Sequence, residues 1–206
     1  MSDLLQLNTL ELDALRETAN IGAGHAATAL SHMTNNTIMI TVPTITIAAL
    51  EDVPSRIASE EEPIVAVLMQ MMGDLTGRTL LVFPLATATR LAQLMLRRPT
   101  VPDAPFGELE QSAIKEAGNI LSGAYMNALS EFMGLMLLPS PPSLAVDMST
   151  AVLNTAYLQF GTERDMVVAV ETQFFLQGQG EEVRGFFLLL PDAASLQVIL
   201  RAVRLL

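Results

Sequence analysis

The chain has 206 residues, half of them hydrophobic and 16% charged, a composition that folds around a core rather than staying disordered. It has no cysteine, which excludes disulfides, thiol chemistry and zinc–thiolate sites. A formal charge of −11 sets it against nucleic acid and anionic membrane surfaces as partners, and its longest apolar runs, such as 79–85, are strand-sized rather than membrane-spanning.

In chain order, Asn8-Thr-Leu-Glu11 has capping-box spacing with Asn8 as N-cap. Leu12, Leu15, Ala19, Ala23, Ala26 and Leu30 follow at helical spacing, so the first element is a long amphipathic helix. Thr34-Asn35-Asn36 is a turn leading into strands predicted over 37–42, 44–48, 63–69 and 78–83, then a helix over 86–96. The segment 97–107 carries three prolines and reads as a linker. Beyond it the pattern restarts: a helix from about 108 to 132, strands near Leu144 and over 167–175 and 185–190, and a helix over 193–205. The first residues lack the basic-then-apolar order of a secretory signal, so a cytoplasmic location is expected.

The restart is a duplication. Asp13-Ala-Leu-Arg-Glu17-Thr-Ala-Asn20-Ile-Gly-Ala-Gly24 matches Ser112-Ala-Ile-Lys-Glu116-Ala-Gly-Asn119-Ile-Leu-Ser-Gly123 without a gap, at an offset of 99. Ala29-Leu30 and Ala128-Leu129 keep the offset, as do Pro43 and Pro142. At shifted offsets, Val65-Ala66-Val67 resembles Val168-Ala169-Val170, and the segment from Gly77 to Pro84 resembles Gly185 to Pro191 with one residue fewer. Each half alone would bury too little apolar surface. The expected fold is therefore α+β: one pseudo-twofold domain over 1–206, built from repeats of about 8–97 and 107–206, each helix–strands–helix.

Within the repeat, Asp13, Glu17, Asn20 and Gly24 fall at i, i+4, i+7 and i+11, a stripe on one helix face, and Ser112, Glu116, Asn119 and Gly123 repeat it. Asparagine in mid-helix costs roughly half a kcal/mol relative to alanine, and a helical glycine about 1 kcal/mol. A single Glu-x-x-Asn reads as a solvated surface pair, with nearby glycines serving close helix packing. Carrying these costs twice, with a proline 23 residues beyond each asparagine, points to a functional site.

Other chemistry finds no support. There is no phosphate-binding Gly-x-x-x-x-Gly-Lys loop, and Ile-Gly-Ala-Gly at 21–24 lacks the third glycine of a dinucleotide fingerprint. His25 and His32 share a helix face without further metal-ligating company, so no metal site is expected. Met69, Met71 and Met72 read as core or as an adaptable partner surface. Asp147 interrupts an apolar stretch and corresponds to Ala48, so it belongs to one half only. It reads as the N-cap of a helix over 148–157, or as a contact for a second partner.

The pattern Asp/Ser-x3-Glu-x2-Asn-x22-Pro resembles the signature of the CheC/CheX/FliY phosphatases, here twice in full: Asp13, Glu17, Asn20, Pro43, then Ser112, Glu116, Asn119, Pro142. Two complete copies without an added domain are most similar to the CheC type. The resemblance implies hydrolysis of the aspartyl phosphate on the response regulator CheY, with Mg²⁺ supplied by CheY and no cofactor of the chain's own. It implies that Asn20 and Asn119 orient the attacking water, that Glu17 and Glu116 pair with a partner lysine, and that Asp13 and Ser112 rim the sites. Pro43 and Pro142 are read as structural. It also implies the deamidase CheD as a second partner, for which Asp147 is the candidate contact, and a duplicated chain is expected to be monomeric. The rival expectation is a non-catalytic adaptor that binds CheY or CheD.

Overall fold

The computed structural model describes residues 9–49, 62–99, 106–152, 166–176 and 182–204. In order they form α1 (Thr9–Thr34), β1 (Ile38–Ile40), β2 (Thr44–Ala49), β3 (Pro63–Gly73), β4 (Gly77–Pro84), α2 (Leu85–Met95), α3 (Glu108–Met133), β5 (Leu137–Pro139), β6 (Ser143–Met148), β7 (Met166–Leu176), β8 (Glu182–Pro191) and α4 (Ala193–Arg204). The duplicated α+β architecture is the one the repeat predicts. Asn8 and residues 100–105 of the linker lie outside the described residues.

The eight strands make one antiparallel sheet in the order β1-β7-β8-β4-β3-β5, with β2 also on β7 and β6 also on β3. The halves exchange strands. β1 and β2 of the first half pair with β7 of the second, while β5 and β6 of the second pair with β3 of the first. The halves meet at β4 and β8, where Leu81 lies opposite Phe187. β5 has no counterpart among the predicted strands; three residues ending in proline are too few to show a period of two.

The helix layer and the sheet share a core. Leu15, Ala23 and Leu30 of α1 and Ile114, Leu121 and Met126 of α3 pack with Val65, Val67, Leu81, Phe83 and Phe187. The alternate strand residues Ile64, Ala66, Leu80, Val82 and Leu188 are buried as well, so these strands read as continuous apolar runs. α1 and α3 cross closely at Gly22, where a Cβ would stand 3.0 Å from Tyr125 Cδ1 and 3.1 Å from its Cα. Tyr125 stacks on Phe187 with ring centroids 4.4 Å apart, and its hydroxyl bonds Thr172 Oγ1 at 2.6 Å. Burial pushes the Tyr125 phenol up to about 12, the Thr172 bond opposing it.

Both long helices stop in the same way. Asn35 (φ 54°) and Gly134 (φ 65°), 99 residues apart, take the left-handed conformation that ends a helix, tolerated by asparagine and free for glycine. The Ser31 hydroxyl then accepts the N–H of Ile38 at 2.8 Å, and the Ser130 hydroxyl donates to the carbonyl of Leu135. At the start of α3, the Glu110 carboxylate reaches back to the N–H of Gly107 at 3.1 Å.

Asp147 is not a helix cap. It lies in β6 opposite Ile64, and the helical residues 149–152 begin two positions later. Pairing with β3 runs on to Met148, which keeps 147 and 148 extended, and Asp147 Oδ1 accepts the adjacent Met148 N–H at 2.8 Å. The remainder of the predicted 148–157 helix lies outside the described residues.

Candidate functional site

The faces of α1 and α3 that turn away from the core carry the stripe. Asp13, Glu17 and Asn20 are exposed on α1, and Ser112, Glu116 and Asn119 are exposed on α3. Each glutamate stands one turn before its asparagine, so their Cβ atoms are about 5–6 Å apart and both side chains face solvent together. Neither asparagine nor glutamate makes a hydrogen bond or ion pair within the described residues. A carboxamide in this state offers both an acceptor oxygen and a donor NH2 to water or a partner. No partner among the described residues competes for it.

The glycines of the motif separate into two kinds. Gly22 faces the α1–α3 crossing, as the packing explanation requires. Gly24 and Gly123 do not: a Cβ at either would meet nothing within 4 Å. They are positions where the helix keeps its surface low although no described residue packs there.

Two features went unassigned at the sequence level. Ile21, beside Asn20, is a large apolar side chain left 45% exposed, and Ile120 holds the matching place, half-buried. A basic residue, Arg16 or Lys115, precedes each glutamate and lies four residues before each asparagine, on the same face. The repetition at offset 99 was the available signal for both. Their surroundings differ: Arg16 Nη1 pairs with Asp13 Oδ1 at 2.9 Å, whereas Lys115, with Ser112 in the aspartate's place, has no ion pair among the described residues.

The remaining predicted positions lie elsewhere on the fold. Pro43 is buried immediately before β2, and Pro142 is half-buried immediately before β6. Asp147 lines a groove of about 400 Å³ on the β6 side of the sheet, together with Ser143, Val146 and Val152. His25 and His32 are exposed on α1, and among the described residues no three His, Cys, Asp or Glu side chains are arranged to hold a metal ion. No described helix is long and apolar enough to cross a membrane.

Known proteins match this arrangement. The model of the CheC-like family matches residues 10–47 and 109–146, which are the two copies of helix, motif and proline. The "CheY-P phosphatase CheC" of Bacillus subtilis is 30% identical over 189 residues, covering 91% of this chain and 90% of that protein. The crystal structure of Thermotoga maritima FliY superposes with a TM-score of 0.78 at 25% identity, over 96% of this chain and 98% of that one. A chain of the CheX–CheY–BeF3–Mg²⁺ complex from Borrelia burgdorferi shares the fold at a TM-score of 0.51 and 17% identity, over 82% of this chain and 94% of that one. With a family model on both motif copies and a relative matched along nine-tenths of both chains, the chain belongs to the CheC-like family and is a hydrolase, a protein phosphatase.

Proposed function

We propose that the protein hydrolyses the aspartyl phosphate of CheY at two sites, one on α1 and one on α3. The observation that carries this is the pair of exposed Glu-x-x-Asn sets, without a partner among the described residues, on the two family-matched helices. The substrate is taken from the B. subtilis relative named a CheY-P phosphatase.

The chemistry asks little of this chain beyond position. Water attacks the phosphorus, the bond between phosphorus and the aspartate oxygen breaks, and inorganic phosphate leaves a free carboxylate behind. The transition state is already charge-rich, so the catalytic need is a water held in line. The Asn20 and Asn119 carboxamides accept one water proton in a hydrogen bond and add no negative charge against the phosphoryl oxygens. Glu17 and Glu116, one turn away, dock a cationic side chain of the partner and fix the angle at which it arrives. Asp13 and Ser112 rim the sites. The Mg²⁺ that neutralises the phosphoryl group belongs to the partner, and the chain needs no cofactor of its own.

A second surface is assigned to CheD. Asp147 is present in one half only, is exposed, and lines a groove, which suits a contact made once per chain. Retention of full CheD binding by Asp147→Lys would rule this contact out. The chain supplies both halves of its sheet, and the working state is a cytoplasmic monomer.

The deciding measurement is decay of phosphorylated CheY with wild type, Asn20→Ala, Asn119→Ala and the double variant. Wild type shortens the lifetime. The double variant still binds but loses the acceleration, by on the order of a hundredfold. Asn20→Asp with Asn119→Asp fails as well, because at each site a carboxylate in place of the carboxamide now faces the phosphoryl oxygens. Binding by wild type without any change in lifetime would replace the phosphatase by an adaptor.

A further inference from the structure

We infer that the two sites are electrostatically unequal, and that the α3 site recruits the phosphorylated partner more strongly because Lys115 has no carboxylate partner among the described residues. This rests on the phosphatase reading above and extends it to which site binds and why.

The argument is geometric first. Arg16 and Lys115 occupy the same place relative to Glu17–Asn20 and Glu116–Asn119, four residues before the asparagine on its own helix face. Both belong to exposed surface. A phosphoryl group above either asparagine is therefore within the sweep of a long cationic side chain. In α1 that cation is already occupied: Asp13 Oδ1 holds Arg16 Nη1 at 2.9 Å. In α3 residue 112 is serine, and Lys115 has no carboxylate partner among the described residues.

The charge sums agree. Asp13, Arg16 and Glu17 together carry −1, while Ser112, Lys115 and Glu116 carry zero. In a chain of formal charge −11, the α3 stripe is the less repulsive landing place for an anionic phosphoprotein. Lys115 is also the chain's only lysine. Its compact ammonium makes a strong point-charge contact with phosphate oxygens without the planar geometry arginine imposes. Lys115 and Arg16 act in recruitment and positioning, leaving the water to the asparagines.

The test reads each site alone by removing the other asparagine. In Asn20→Ala, where only the α3 site works, Ser112→Asp recreates the α1 ion pair and raises KM for phosphorylated CheY roughly two- to fivefold at low salt, the scale of one exposed ion pair, with kcat little changed. Lys115→Gln does the same, and Lys115→Arg restores wild-type KM. In Asn119→Ala, where only the α1 site works, Asp13→Ser frees Arg16 and lowers KM by a similar factor. These differences shrink towards unity as salt is raised. Helical circular dichroism and urea midpoints of all variants are compared with wild type, so that any loss of folding is read separately. If both swaps leave KM unchanged while decay still depends on Asn20 and Asn119, the inequality is overturned and the phosphatase reading survives. If the asparagine variants leave the decay unchanged, that reading falls, and the inference falls with it.

Discussion

The two long helices invite comparison position by position. On their buried faces the sequence has been rewritten: Ala19 corresponds to Gly118, Gly22 to Leu121, Ala26 to Tyr125. Each substitution follows a different neighbour, since Gly22 lies under Tyr125 while Gly118 lies against Val67. On the exposed faces the glutamate, asparagine and glycine repeat without change. Ordinarily the core is the constrained part and the surface is nearly indifferent to substitution. Here internal duplication left the reverse, which is the pattern the proposed pair of partner-binding sites predicts.

The comparison is tested hardest at Tyr125, a buried group that only the second half possesses. Its phenol is pushed up to about 12 in the folded chain, from the ordinary 10.0. The stability tied to its neutral form is therefore fully present below pH 10 and is lost as pH rises towards 12. At the upper end the loss approaches about 2.7 kcal/mol, the free energy that separates those two pKa values. Tyr125→Phe flattens this alkaline limb in urea titrations across that range. At pH 7 the same variant costs about 1–3 kcal/mol, because it strands the buried Thr172 hydroxyl. Parallel alkaline losses in both proteins would show that another group titrates.

A smaller effect separates packing glycine from surface glycine. At Gly22 a methyl group meets the backbone and ring of Tyr125 at 3.0–3.1 Å, so Gly22→Ala forces the α1–α3 crossing apart. Overpacking of this kind costs about 1–3 kcal/mol, and the gain in helix propensity returns at most about 1 kcal/mol of it. A urea midpoint below wild type is the expected result. A midpoint above it would mean that the crossing is loose and that Gly22 belongs with the surface glycines.

Much of this was legible in the sequence for a physical reason. A 99-residue offset without gaps fixes corresponding residues before any element is assigned, and the boundaries of α3 follow from Pro105, Gly107 and the apolar spacing. The strand exchange was not legible. Residues such as Ile64 and Val65 are buried on opposite faces, so the apolar pattern carries no alternation to specify which strand lies beside β3. Asp147 misled because an aspartate ahead of Ser149 and Thr150 looks like a cap, whereas pairing of β6 with β3 decides the backbone there. In the site, Glu17, Asn20, Glu116 and Asn119 stood out by duplication alone. The difference between Gly22 and Gly24 did not: they are two residues apart, about 200° around the helix, and only the position of α3 tells which one is covered.

That difference supports the finest of the tests. Gly24 and Gly123 sit one turn beyond the asparagines, and no described residue lies within 4 Å of the place where a Cβ would stand. Gly24→Ala and Gly123→Ala are therefore expected to stabilise the fold by about 0.5–1 kcal/mol each, since alanine removes backbone entropy from the unfolded chain and fits the helix without a clash. Under the proposed function, a glycine carried at this cost in both copies serves the complex, leaving a low surface for the docked partner beside the carboxamide proposed to hold the water. The double variant should then unfold at higher urea while dephosphorylating CheY severalfold more slowly, with the loss appearing in KM. Higher stability with undiminished activity would remove the partner from this part of the helix and confine the contact to the turns that carry the glutamate and asparagine.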